Sequence, residues 1–425
     1  MKWRVLVVGF VVLACAVIVG STVAGQQPAP PTDYTGTLDG TAYKIRVPAN
    51  WNGTLLVFAH GTQLGAPAPV VAPPNVEAQL LAAGYALAGS GFTNSYKDGV
   101  QRTHQLTGFF RDTIANPRRI IIWGNSLGAG ISLKLIEKYP GIYDGAIANC
   151  APAAGAVENM DSALSFSLAY DAAFAWPAEW GTVGDVRDDL TVPEVLARAP
   201  FPVTAETKPK WEFVRLAMHL SSTEFWTKDP GSGFPFFMLQ LWKATVLRSA
   251  TEQGYGGPVA ENVGMVYTVD ADDATLVSLG LDPAWVNDKL ADMNARANIS
   301  ANPPARRHLA QWGAPTGSSW RPVLTMHYIS DGMTFVMTEH YYKALVDAAG
   351  DGGLLLQTFV NGPAGHCSFM PQQYVTTLAA MNSWLDTGQR PTPSSDPNAE
   401  PPAFYLPAAA PYYFNLSFTP GPWIF

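Results

Sequence analysis

The sequence predicts an α/β protein, a mostly parallel sheet with helices on both faces, interrupted by one large and mainly helical insertion. Three observations carry this expectation. Short apolar runs alternate with longer helical ones near both ends of the chain. Several of the short runs are apolar throughout, as strands covered on both faces must be. The alternation lapses once, between Pro152 and Trp320, where the pattern is helical with Pro and Gly breaks such as Asp229-Pro230-Gly231-Ser232-Gly233.

Met1-Lys2-Trp3-Arg4 is a basic start, Val5 to Gly20 is almost unbroken apolar sequence, and Thr22-Val23-Ala24 places small residues before Gly25. Residues 1–24 therefore read as a signal peptide, and the protein is expected to be secreted or held in the cell envelope. An uncleaved anchor is the alternative, although the run is short for a full span. Lipidation at Cys15 is a third reading, opposed by the apolar Ala16-Val17-Ile18-Val19 beyond it. Membrane contact is expected only through this segment. Loss of Lys2 and Arg4 takes the net charge from −8 to −10. An acidic chain with no basic stripe is not expected to bind nucleic acid.

Residues 25–42 read as a leader, Pro- and Gln-rich at its start. Strands are then expected at Tyr43–Val47, Thr54–Ala59, Tyr85–Gly89, Arg119–Trp123, Gly145–Asn149, Val323–Ile329 and Leu354–Val360. Helices are expected at Val76–Ala83, Gln101–Ala115, Leu127–Tyr139, Thr338–Ala349 and Gln372–Asp386, the last closing on Gly388. This gives a core of residues 43–151 and 321–390, a cap insertion of 152–320, and a Pro-rich tail of 391–425 with an aromatic end. The insertion is dense in rings: Phe174, Trp176, Trp180, Trp211, Phe225, Trp226, Phe234, Phe236, Phe237 and Trp242. Most are expected to form the insertion's own core, and its inner rings to line a pocket. No glycine-rich phosphate loop is present, and no cofactor is expected.

The chemistry is carried by four ordered pieces. Gly124-Asn125-Ser126-Leu127-Gly128 follows the strand run Arg119–Trp123 and opens the helical run from Leu127. A lone Gly-x-Ser-x-Gly is a weak signal, but strand, sharp turn and helix are the setting of a nucleophile elbow. Ser126 would then sit at a helix N-terminus, where free N–H groups favour developing negative charge. Upstream, His60-Gly61-Thr62 ends the run Thr54–Ala59. Downstream, Asp331 follows the strand run from Val323, and His366 follows the run ending at Val360. The order Ser, Asp, His suits a triad in which Asp331 orients His366 and His366 takes the proton of Ser126. His104, His219 and His308 fall outside that order, while His327 and His340 sit on a strand and a helix.

Taken together, the pieces resemble the α/β-hydrolase superfamily over Tyr43 to Gly388. The resemblance implies an oxyanion hole made by the backbone N–H groups of Thr62 and Leu127 and a serine esterase activity through an acyl-enzyme. Its substrate would be a small-molecule or polymeric ester. His366-Cys367 is similar to the His-Cys pair of tannase and feruloyl esterase enzymes. In those, the cysteine bonds to one immediately before the nucleophile, a place taken here by Asn125. Cys150 is the expected substitute, giving a Cys150–Cys367 disulfide; two buried free thiols are the alternative. A secreted peptidase or amidase would share the triad, and a non-catalytic surface or binding protein could share the fold. Asp270-Ala271-Asp272-Asp273 lacks the full ligand set of a calcium loop and reads as a cap for the helix containing Leu276, so no metal is expected.

Overall fold

The computed structural model describes residues 30–220, 234–360 and 365–392. The expected signal peptide at 1–24 and the tail beyond Thr392 lie outside these residues, as do Phe225 and Trp226. Among the described residues no helix is long and apolar enough to cross a membrane.

One eight-stranded sheet organises the chain: β1 (Thr32–Leu38), β2 (Thr41–Val47), β3 (Thr54–Ala59), β4 (Ala86–Ser90), β5 (Arg119–Asn125), β6 (Gly145–Asn149), β7 (Val323–Tyr328) and β8 (Leu355–Val360). Their order is β1-β2-β4-β3-β5-β6-β7-β8. β2 is antiparallel to both its neighbours, and every pairing from β4 to β8 is parallel. Parallel neighbours need crossovers, and helices supply them: α1 (Glu77–Ala82), α2 (Tyr96–Phe109), α3 (Leu127–Lys138) and later α12 (Thr338–Ala348), while α13 (Pro371–Thr387) follows the last strand.

The two faces of the sheet are read directly from the strands. Leu55, Val57 and Ala59 of β3 with Ile120 and Ile122 of β5 join one buried cluster, which includes Val100 of α2 and Ile131 of α3. Leu56 and Phe58 with Ile121 and Trp123 join the other, with Leu80 of α1 and Leu378 and Trp384 of α13. This period-two division with both faces covered is why these strands read as continuous apolar runs.

The expected leader is corrected in part. Thr32–Leu38 is a strand that pairs antiparallel with β2 across a tight turn at Asp39-Gly40, both in the left-handed region (φ 47° and 79°). As an edge strand whose first six residues are exposed, it has no apolar face to announce it.

The interruption of the alternation is a helical insertion between β6 and β7. Its helices include α4 (Ala156–Phe174), α5 (Val192–Leu196), α6 (Lys208–Ala217), α7 (Phe234–Trp242), α8 (Arg248–Tyr255), α9 (Asp273–Ser278), α10 (Pro283–Ala295) and α11 (Pro303–Gly313). Trp211 is fully buried, its ring 4.7 Å from Phe174, 5.3 Å from Phe201 and 3.9 Å from Phe237. Trp180 and Trp176 pack beside Tyr170 on the same cluster. These rings are the core of the insertion. Asp272 caps α9, its carboxylate accepting from the Thr275 N–H at 2.8 Å.

Candidate active site

The strand order reverses at β3. The chain leaves β3 toward β4 on one side and returns to β5 on the other, so a crevice opens at the carboxyl ends of β3 and β5. His60-Gly61-Thr62 leaves β3 there, and Ser126 leaves β5.

Ser126 sits between β5 and α3 with φ 55° and ψ −121°, a backbone state that costs a non-glycine residue about 1–3 kcal/mol. Its N–H donates to the Asn149 carbonyl at 3.0 Å, and its carbonyl accepts from Ala129 at 2.9 Å. The flanking glycines are sterically required. A Cβ on Gly128 would lie 1.9 Å from the Ala59 carbonyl oxygen, and one on Gly124 would lie 2.4 Å from that of Gly128. The motif thus lets α3 start directly against β3 and β5, which lifts Ser126 above the sheet.

From Ser126 a chain of hydrogen bonds runs to the sheet's other loops. His366 Nε2 is 2.8 Å from Ser126 Oγ, and His366 Nδ1 is 2.8 and 3.0 Å from the two oxygens of Asp331. With Nδ1–H donating to the carboxylate, Nε2 is left to accept from the serine hydroxyl. Asp331 is buried and also accepts from the N–H groups of Met333 (2.8 Å) and Thr334 (3.0 Å). Burial alone would raise its pKa. The charge and hydrogen bond of His366, the charge of His327 and the Met333 N–H outweigh that and hold it below the usual carboxylate value. The loops that carry Asp331 and His366 are joined by a bridge between Asp331 and Gly365, with the Gly332 N–H donating to the Gly365 carbonyl at 3.2 Å.

The two cysteines tie the His366 loop to the end of β6. Cys150, just past β6, is disulfide-bonded to Cys367, and Cys367 Sγ lies 3.5 Å from His366 Nε2. Both cysteines take positive φ, 48° and 53°. Asn125, in the place where the resembling enzymes carry a cysteine, donates to the Tyr374 hydroxyl at 2.7 Å and accepts from Asn149 at 3.1 Å.

Order, elbow and acid–base loops now coincide. The chain has the α/β-hydrolase fold. Thr62 and Leu127 line one cavity with Ser126. Leu127 is the first residue of α3, where an N–H has no intrahelical acceptor. Thr62 has no backbone acceptor among the described residues. The His60 ring is committed elsewhere: it stacks on Phe92 at 3.7 Å, Nδ1 lies 2.6 Å from the Gly61 carbonyl, and burial lowers its pKa.

Most of the named rings are in the insertion's core as expected, and only the expectation that inner rings line the pocket is corrected. None of those in the described residues borders this cavity, which is lined instead by Tyr96, Met160, Leu247, Tyr255, Leu309 and Met333, among others. The rings are drawn into the insertion's own core because they bury more area against one another than a small cavity can offer.

Three groups behind the site carried no sequence signal. His327 is buried with Nδ1 3.0 Å from Glu339 Oε1, Nε2 2.9 Å from the Thr334 carbonyl, and Nε2 3.8 Å from Asp331 Oδ2. Burial works against its charge, but the Glu339 hydrogen bond and charge, then that of Asp331, raise its pKa. Both ring nitrogens face acceptors, so the imidazolium fits this setting. Lys243, following α7, is buried with Nζ 2.9 Å from Ser162 Oγ and 4.3 Å from the centre of the Phe335 ring; burial pushes its pKa down to about 7, with Asp331 opposing. Gln240 of α7 donates to the Gly332 carbonyl, which ties the insertion to the acid loop.

No family model matches the chain. It is 23% identical to the o-phthalyl amidase of Xanthobacter agilis over 423 residues, covering 86% of this chain and 90% of that protein. Among solved structures it is similar to an esterase from Aspergillus oryzae (14% identity, 84% of this chain and 80% of that one, TM-score 0.44). It is also similar to feruloyl esterase B from Aspergillus oryzae (14% identity, 85% and 81%, TM-score 0.41).

Proposed function

We propose that the protein is a serine hydrolase that cleaves carboxylic esters by two-step acyl transfer. The observation that supports it is the unbroken chain Ser126–His366–Asp331, with contacts of 2.8 Å on both sides of the imidazole. In this reading His366 takes the Ser126 proton as Oγ attacks the ester carbonyl, and the oxyanion is held by the N–H groups of Thr62 and Leu127. His366 then protonates the leaving alcohol, and water repeats the sequence to release the acid. Asp331, ionised and fixed by four hydrogen-bond contacts, keeps the imidazole in the productive tautomer.

The acyl group is assigned to the cavity that holds Ser126 and both oxyanion residues. The leaving group is assigned to a second, more open groove past Thr62, lined by Asn125, Cys367 and Ser368, on the side of the base loop. An exported protein is the matching setting, supported by the Cys150–Cys367 disulfide, which oxidising compartments sustain.

The name of the Xanthobacter relative favours one second reading, amide cleavage through the same acyl-enzyme. Paired aryl ester and anilide substrates with the same acyl group separate the two. The ester reading expects kcat/KM for the ester to exceed that for the anilide by more than their difference in hydroxide-catalysed hydrolysis. The reverse order assigns the site to amides.

A further inference from the structure

The acyl cavity is small, about 50 Å³, and no charged side chain is found among the described residues lining it. Its polar side chains are mostly occupied within the protein. Asn94 exchanges hydrogen bonds with the Gln63 backbone, Thr251 donates to Leu247, Thr334 donates to Cys150, and Tyr255 accepts from the Tyr96 N–H.

Asn159, Tyr96 and Thr62 are the exceptions, and of these Asn159 is the only one with a side-chain amide. Asn159 projects from the end of the first turn of α4, one face with Ala156 and Met160, all three bordering the cavity with Ser126. Its residue surface is only 8% exposed, and its side-chain amide makes no hydrogen bond to any described residue. The hydroxyl of Tyr96, a residue 7% exposed and bordering the same cavity, also has none. Neither group is sealed from the cavity, so each is open to solvent until a ligand enters, and an apolar acyl group that covers the amide without bonding it costs about 1–3 kcal/mol. Met160, Leu247, Leu309 and Met333 make the rest of the wall apolar.

We infer that Asn159, assisted by Tyr96, is a specificity determinant that recognises an uncharged hydroxyl or carbonyl on the acyl group of the ester. The substrate class is then a short acyl ester bearing one neutral hydrogen-bonding substituent. A plain alkyl acyl group leaves the amide unpaired, and a carboxylate meets no cation on the described wall. This inference rests on the proposed ester hydrolysis at Ser126.

The test compares ethyl butanoate with ethyl 2-hydroxybutanoate, 3-hydroxybutanoate and 3-oxobutanoate. Acid release is followed by pH-stat, with each rate divided by that of hydroxide-catalysed hydrolysis. Wild-type protein is expected to favour at least one substituted ester about tenfold or more in kcat/KM, as a hydrogen bond worth about 1.4 kcal/mol gives. Asn159→Leu, which keeps the volume and removes the amide, is expected to bring that ratio below about 3, and Tyr96→Phe to reduce it. Ratios near one for all four esters in the wild type overturn the inference, a result independent of how any variant folds. So does an unchanged ratio in Asn159→Leu. Fluorophosphonate labelling of Ser126 separates the two levels. Labelled protein with no preference fails this inference alone, whereas unlabelled protein fails the hydrolase reading.

Discussion

Cys367 is covalently tied to Cys150, and the same residue's sulfur lies 3.5 Å from the Nε2 of His366 that faces Ser126. The bond joins the end of β6 to the base loop across 217 residues of sequence, so it fixes the histidine to the sheet. The paired substitution Cys150→Ser/Cys367→Ser is expected to lose about 2–4 kcal/mol of stability. It should also lose at least tenfold in kcat, since the imidazole is then held by Asp331 and Gly365 alone. Thermal melting with ester turnover checks both. A variant that melts lower but keeps full kcat would show the bond to be a staple with no part in positioning.

His327 lies behind Asp331, its Nε2 3.8 Å from Oδ2, and its raised pKa favours the protonated form there. In His327→Gln the negative field of Asp331 at His366 is no longer partly neutralised, and the acid limb of the kcat/KM profile is expected to move to higher pH. Its raised pKa has a second consequence. The stabilisation from protonated His327 is complete below its ordinary value of about 6.5 and is lost as pH rises through the higher folded-state value. The stability advantage of wild type over His327→Gln should therefore shrink as pH climbs above about 6.5. Denaturant melts at several pH values measure it.

Lys243 titrates in the opposite sense. Its pKa is lowered by burial to about 7, so between there and its unfolded value of about 10.4 the unfolded chain binds more protons and stability rises with pH. Lys243→Met removes that cost. The variant is expected to be more stable than wild type at pH 6, with the gain smaller by about 2.6 kcal/mol at pH 9. A gain independent of pH would place the amine in a wetter setting than its burial indicates.

Gly128→Ala tests the steric basis of the elbow. The added methyl would meet the Ala59 carbonyl at 1.9 Å, and neither the strand nor the helix start can yield without moving Ser126. A stability loss of about 3 kcal/mol and a kcat below 1% of wild type are expected. Gly108→Ala, where the new methyl meets nothing within 4 Å inside α2, is the control expected to keep kcat and to gain about 0.5–1 kcal/mol of stability.

The sheet was largely legible in the sequence because burial on both faces writes itself as unbroken apolar runs. Thr54–Ala59 and Gly145–Asn149 match β3 and β6 residue for residue. β1 was not legible in that way, since an exposed edge strand has no apolar face, although Asp39-Gly40 was a turn signal that could have found it. Ser126, Asp331 and His366 stood out because each follows a strand at a turn with a recognisable neighbour. His327 and Glu339 did not. One lies inside a strand and the other in a helical first turn, where a carboxylate reads as favourable to the helix dipole. Asn159 shows only as a polar residue on a buried helix, and its role depends on which face meets the crevice.

The central claim, that Ser126 is the nucleophile of an ester hydrolase, is tested most directly by reaction with a fluorophosphonate followed by peptide mass mapping. The account predicts one adduct, on Ser126, with ester hydrolysis lost in step with labelling, and neither labelling nor turnover in Ser126→Ala. Ester hydrolysis retained in Ser126→Ala, or an adduct on another residue, would contradict it.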